Sequence, residues 1–236
     1  MSSRIETFTG RFVDPLNLSA DEVVLEDIFH ALGMKCRFGG MTRRFYSVAS
    51  HSILVSRHPK VVELGPRWRM AALMHDANEA YLTDVPSPVK PSLWVRTGDR
   101  GDPSDPYDRG TLSTLQWKHS EFRVQNAIEV ALDHLMPRRA DGGSLLASPS
   151  SAAEIKHADL VALLAEARVL MASGGEEREG GEWSLPEEVR SDPWLKEAEA
   201  FVHAAADGAG LFPCPNNSPV VALATEFRNI RKEILT

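Results

Sequence analysis

Residues 71–84 read AALMHDANEAYLTD. An apolar, helix-forming run that begins at Pro66 carries His75 and Asp76 side by side into core-like surroundings. Burying an unpaired imidazole or carboxylate costs on the order of 1–3 kcal/mol, so the pair belongs inside only if something draws it there. A divalent cation does, because imidazole nitrogen and carboxylate oxygen are common ligands for zinc, manganese and iron-like ions. Successive helical side chains point about 100° apart, so neighbours share one ion only near the helix axis or at a frayed end. One such pair cannot hold a catalytic metal, and the remaining ligands must come from elsewhere in the chain.

With 236 residues, 43% hydrophobic and 25% charged, the composition is that of an ordinary globular chain with one substantial core. The expected organisation is a single domain over 1–236, with a core of about 5–172 and a helical extension of about 182–236. The net charge is −7 and no lysine or arginine block is long enough to follow a phosphate backbone, which argues against duplex nucleic acid as a partner. Cys36 and Cys214 are the only cysteines, too few for a disulfide framework or a Cys-x-x-Cys metal site. The stretch MSSRIETFTG has no apolar signal core and no run reaches membrane-spanning length, so no membrane is expected and a cytoplasmic location is.

Hydrophobic spacing places helices at about 19–34, 46–57, 66 to the mid-80s, 112–136, 151–171, 194–205 and 220–235. Ser19 with Glu22, and Ser151 with Glu154, have capping-box spacing. Val24, Ile28 and Leu32 line one face of the first helix, and Leu115, Phe122, Ile128, Leu132 and Leu135 form the expected stripe of the fourth, which reads as the longest. The prolines of VPSPVKP (85–91) deny a helix its amide donors. Loops or linkers are expected at 96–110, 137–150 and 173–181, from their glycine, proline, serine or acidic content. No stretch alternates with period two between hairpin turns, so the fold expected is all-α, a helical bundle.

Two other polar residues stand alone on apolar helical faces. His51 lies 24 residues before His75, and Asp159 sits in IKHADLVALLAEA. Each alone reads as a hydrogen-bonded structural residue. With His75 and Asp76 they make two imidazoles and two carboxylates, a donor set suited to a transition metal that keeps open positions. Glu79 is four residues after His75 and shares its helix face, within reach of a water at such an ion. His157, two residues before Asp159, reads as surface, as do His119, His134 and His203 among charged neighbours.

The pattern H…HD…D, within the words YSVASHSILVS, ALMHDANEAYLTDVPSPVK and ADLVALLAEAR, resembles the HD-domain metal-dependent phosphohydrolases. Within them it is most similar to bacterial 5′-deoxynucleotidases and phage-type dNTP or dATP triphosphohydrolases. The resemblance covers about Ile5 to Met171. A bare HD dipeptide carries little, but HD followed by A-x-E, T-D and P-x-P-V-K is specific. The resemblance implies an HD-domain bundle, His51, His75, Asp76 and Asp159 as metal ligands, and Glu79 as the group that orients or deprotonates the attacking water. It implies that Asp84 acts near the leaving group, that Arg37 contacts phosphate and that Phe38 packs on the sugar. This chain has Phe38 where the deoxynucleotidases have tryptophan. Lys90, in an extended proline-rich loop, would neutralise a phosphate oxygen. Arg43 and Arg44 read as a solvated basic turn.

The activity this implies is hydrolysis of a nucleotide 5′-phosphoester, dNMP to deoxynucleoside and phosphate or dNTP to deoxynucleoside and triphosphate, with Mn2+, Co2+, Zn2+ or Fe2+ as cofactor. By analogy the chain would be a homodimer. The rivals are a cyclic-nucleotide or alarmone phosphodiesterase built on the same ligands, and a non-catalytic helical module that binds a partner protein. The second usually lacks a ligand or the glutamate, and all five residues are present here.

Overall fold

The computed structural model describes residues 4–97, 113–136, 149–176, 183–207 and 218–236. These form α1 (Leu25–Met34), α2 (Val48–Ser56), α3 (Pro59–Glu63), α4 (Pro66–Leu73), α5 (Glu79–Leu82), α6 (Trp117–Leu135), α7 (Pro149–Leu170), α8 (Glu187–Arg190), α9 (Leu195–Ala206) and α10 (Pro219–Leu235). Two antiparallel pairs of short strands accompany them, β1 (Ile5–Glu6) with β2 (Phe12–Val13) and β3 (Trp94–Thr97) with β4 (Ser113–Gln116). The fold is all-α, as the periodicity implies.

α2 is the axis of the molecule. Every one of its residues is buried, and it packs against α1, α4, α7, α9 and α10. Ile53, Leu54 and Val55 meet Met70, Leu73 and Met74 from the α4 side, and Val161 and Leu164 from α7, in one hydrophobic cluster. The C-terminal segment completes this core, since Val202 of α9 and Leu223, Phe227 and Ile230 of α10 are buried in the same cluster. Gly33 permits α10 to lie against α1, because a Cβ there would come within 3.0 Å of the Val220 backbone nitrogen.

Several boundaries differ from expectation. Ser19 and Glu22 do pair, the Ser19 N–H donating to Glu22 Oε2 at 3.0 Å, but they open a single turn of 3-10 helix at Ala20–Glu22, and α1 starts only at Leu25. The helix expected from residue 112 begins at Trp117, because residues 113–116 pair with β3. Its buried face is Ser120, Val124, Ala127, Ile128 and Leu132, whereas Phe122 points outward at 72% exposure and Leu135 at 43%. Apolar character alone misassigned that stripe. α7, not α6, is the longest helix described, and it is already under way at Pro149, so Ser151 lies within it rather than capping it. Most of the expected loops at 96–110, 137–150 and 173–181 lies outside the described residues. No helix among the described residues is long and apolar enough to cross a membrane.

Candidate metal centre

α2 is capped by Ser47, whose hydroxyl accepts the Ser50 N–H at 3.0 Å, and its first turn delivers His51 with a fully buried side chain. The helix that starts at Pro66 stops at Leu73. Residues 74–78 then wind more tightly, with Ala77 N–H donating to Met74 O at 3.1 Å and Glu79 N–H to Asp76 O at 3.0 Å. Gln125 of α6 stitches this interruption, since its amide donates to Met74 O at 3.0 Å and its oxygen accepts the Asn78 N–H at 3.2 Å. Groups released from the helical ladder are thereby satisfied. His75 and Asp76 fall in this tighter-wound interruption between α4 and α5, not on a regular α-helical face. α7 supplies Asp159.

The four side chains converge. His51 Nε2 lies 3.6 Å from Asp76 Oδ2 and 3.3 Å from Asp159 Oδ1, and His75 Nε2 lies 3.3 Å from Asp76 Oδ2 and 3.9 Å from Asp159 Oδ1. Ligands each about 2.0–2.2 Å from one ion stand about 3–4.4 Å from one another, so these spacings suit a shared cation. Ligand atoms of His51, His75 and Asp159 all lie within 4.8 Å of each other. His51 closes the inner side, while Asp76 and Asp159 keep side-chain exposures of 24% and 20%, which leaves the outer side open.

The imidazoles are oriented for coordination. His51 Nδ1–H donates to Glu166 Oε1 at 2.7 Å, and His75 Nδ1–H donates to the Ala72 carbonyl at 2.8 Å. With the ring hydrogen held at Nδ1, the neutral imidazole turns an Nε2 lone pair toward the carboxylates. Both Nε2 atoms are buried and lack a hydrogen-bond partner. When no cation neutralises the carboxylates, a proton takes that place. Burial and Arg37 oppose it, but Glu166 and Asp159 push the His51 imidazole up to about 10. Burial likewise works against ionised Asp76, yet His75 and His51 hold its carboxyl well below the usual range.

Negative charge is crowded here. Glu79 is buried with Oε2 unpartnered, and burial together with Asp76 and Asp84 pushes its carboxyl up to about 9. Asp84 Oδ2 is buried and unpartnered as well. It follows Thr83, whose backbone at φ 83° and ψ 157° occupies a region open essentially only to glycine. Against Asp76, Glu79, Asp84, Asp159 and Glu166 the buried cation is Arg37.

Arg37 is positioned by the segment that joins α1 to α2. Its N–H donates to Tyr46 O at 2.9 Å, and Arg43 N–H ties the same segment to Leu170 O at the end of α7. The guanidinium donates from Nε and Nη2 to Glu166 Oε2, both at 3.3 Å. Nη1 stands 3.9 Å from Asp76 Oδ2 and 3.9 Å from Asp84 Oδ1, beyond hydrogen-bond length. Its donors therefore face the site. Phe38, at a left-handed φ of 55°, stacks 5.5 Å from the Arg37 guanidinium and meets the Trp183 ring edge-on at 6.2 Å. Lys90 lies at the rim with its ammonium on Glu121 at 2.8 Å. Arg43 donates to Ala172 O and Arg44 pairs with Asp207, both away from the centre. A cavity of about 250 Å³ lined by Trp68, Ala71, Gln125 and Ile155 opens onto His75 and Asp159.

Sequence reasoning missed Glu166 and Gln125. Glu166 is a fully buried charge two turns after Asp159, and that i+7 spacing within an apolar run was the available signal. His157 is also not the surface residue expected. With His58 and Asp192 it forms a second cluster, His157 Nε2 lying 2.7 Å and His58 Nε2 3.5 Å from Asp192 Oδ2. The composition is metal-like, but the wiring is reversed. His58 Nδ1 accepts the Lys60 N–H at 3.2 Å, so the ring hydrogen sits on Nε2 and no lone pair faces Asp192. The Lys60 ammonium is 3.2 Å from His157 Nε2. His157 Nε2 and the Trp194 N–H hydrogen-bond to Asp192 at 2.7 and 2.9 Å, so the cluster braces α7 against the turn before α9, while His58 Nε2 makes no hydrogen bond there.

No family model matches the chain. It is 42% identical over 89 residues to the uncharacterized protein YfdR of Escherichia coli K12, a match covering 37% of this chain and 47% of YfdR. It is 39% identical over 102 residues to the uncharacterized protein RCAP_rcc00048 of Rhodobacter capsulatus, covering 39% of this chain and 50% of that protein. The chain thus spans about half the length of the curated relatives it matches.

Proposed function

We propose that the chain is a metal-dependent phosphohydrolase of the HD type that cleaves the 5′-phosphoester of deoxynucleotides. The observation that carries this reading is the convergence of two Nδ1-anchored imidazoles and two carboxylates beside an arginine with free donors. A divalent cation held by His51, His75, Asp76 and Asp159 would supply an acidified water and a polarised phosphoryl oxygen. Arg37 Nη1 donates to the phosphate, where planar paired donors suit a tetrahedral anion. Glu79, whose proton is kept by burial and by Asp76 and Asp84, would with that crowding neutralised be free to accept a proton from the attacking water. That proton is the one the departing 5′-oxygen requires. Asp84 Oδ1, 3.9 Å from the same Arg37 nitrogen, borders the phosphate site. Phe38 provides an apolar surface for the sugar, and Lys90 lies within a side chain's swing of added negative charge.

The test is a screen of dNMPs, dNTPs and ribonucleotides with Mn2+ or Co2+, with products resolved as phosphate or triphosphate. Turnover of a deoxynucleotide that disappears in Asp76→Ala, with helical circular dichroism retained, is expected. Turnover of no nucleotide, or full activity in Asp76→Ala, would overturn the reading.

A further inference from the structure

We infer that Glu166 is a positioning residue that couples the metal centre to the phosphate-binding arginine through the two oxygens of one carboxylate; the inference rests on the metal-dependent reading above. Glu166 touches neither the open side of the site nor the cavity, and its side chain is fully buried. Oε1 accepts the His51 Nδ1–H at 2.7 Å. Oε2 accepts from both Arg37 Nε and Arg37 Nη2 at 3.3 Å. A buried carboxylate costs several kcal/mol in desolvation unless paired and hydrogen-bonded, and these contacts engage both of its oxygens.

Each contact fixes something different. The bond to Nδ1 selects the His51 tautomer whose Nε2 faces Asp76 and Asp159, which an outer acceptor does for a ligating imidazole. The two bonds to Arg37 use the Nε–Nη2 edge of its fork and leave Nη1 directed between Asp76 and Asp84. Rotating the guanidinium would point a different edge at the phosphate, so the carboxylate sets both the ligand and the direction of the anion clamp. Its negative charge also lets Arg37 remain buried before any phosphate arrives. Because α7 carries both Asp159 and Glu166, one rigid helix supplies a ligand and the alignment of a second ligand.

Glu166→Gln separates these roles because it is nearly isosteric and cannot accept on both sides. Its amide must face either His51, forcing the hydrogen onto Nε2, or the Arg37 donors, pushing the fork away. Two affinities are measured calorimetrically on the full chain: Co2+ for the protein, and inorganic phosphate for the Co2+-saturated protein. Outer-shell substitutions commonly weaken metal binding by about 10–100-fold, and a loss in that range is expected for Co2+, or a loss of about tenfold for phosphate, with circular dichroism unchanged. In an Arg37→Gln background the phosphate effect of Glu166→Gln should vanish while any Co2+ effect persists.

Wild-type affinities retained within twofold in Glu166→Gln would overturn the inference and leave the metal reading standing. A phosphate effect undiminished by Arg37→Gln would overturn the coupling. Wild-type protein that binds no Co2+ or Zn2+ would overturn both. Should Glu166→Gln fail to fold, nitrogen-15 NMR of the Zn2+-loaded wild type decides. A His51 ring with hydrogen on Nδ1 and Nε2 shifted by metal supports the inference, and the opposite tautomer refutes it.

Discussion

Loading the centre with a divalent cation should stabilise the fold measurably. Asp76, Glu79, Asp84, Asp159 and Glu166 surround the buried Arg37 guanidinium, and the Nε2 atoms of His51 and His75 in this centre are buried without a hydrogen-bond partner. A cation held there would bind the folded arrangement and not a chain in which these residues are scattered. At a hundred times its dissociation constant it adds about 2.7 kcal/mol. For a chain of this size each kcal/mol raises Tm by about 2–4 °C, so a shift of about 5–11 °C over chelated protein is expected in differential scanning calorimetry with Mn2+, Co2+ or Zn2+. Asp76→Ala should lose most of that increment. Asp192→Ala, in the second histidine cluster, should keep it, because His58 presents an N–H there rather than a lone pair. No shift with any of the three ions, or an increment lost in Asp192→Ala but kept in Asp76→Ala, would refute the assignment of the centre.

Metal-free protein should lose stability as pH rises from about 6.5 to 8. His51 and Glu79 both bind protons more tightly folded than unfolded, with folded values raised to about 10 and about 9, so the native state is the one that binds more protons across this window and stability falls. Urea titrations at several pH values check this, and saturating metal should flatten the dependence. Lys35 has the opposite sign. Burial lowers it to about 8, so it adds stability as pH climbs above 8, and a Lys35→Met variant should lack that upper limb. The same variant removes the Lys35 ammonium from the carbonyls of Glu79 and Ala80, leaving Glu79 O with the Thr83 N–H, and the lost donor at Ala80 should cost about 1–3 kcal/mol in urea unfolding at neutral pH. Thr83→Gly should raise stability by about 1 kcal/mol, since relieving the glycine-only backbone region returns about 1–3 kcal/mol and glycine's unfolded-state entropy takes back about 0.5–1. A destabilised glycine variant would show that the Thr83 side chain outweighs its backbone strain.

Where polar residues broke an apolar periodicity, the sequence was informative. His51, His75, Asp76 and Asp159 are each out of place on a buried helix, and the structure brings all four together. Glu166 is equally out of place in the apolar run of α7, but Arg168 stands two residues on, and that neighbouring charge gave it the look of a solvated ionic residue. His157 was misread because one helix was considered alone, while its partners His58 and Asp192 arrive from two other elements. Helix ends were the least legible feature. A chain that spells helix from Pro66 into the low 80s is cut at Leu73 by contacts with Gln125, and nothing near residue 74 announces a partner on α6.

That cut places local preference and chemistry in opposition. Residues 71–82 contain alanines, leucines and a glutamate that favour an unbroken spiral, and a spiral would carry His75 and Asp76 out of the positions that the tighter-wound turns at 74–78 give them. Substitutions chosen to reinforce it, such as Asn78→Ala, would thus reward a heat-resistance screen while dispersing the four converging side chains. Engineering this protein for robustness should leave the seam from Met74 to Asn78, and the distant glutamine that pins it open, untouched.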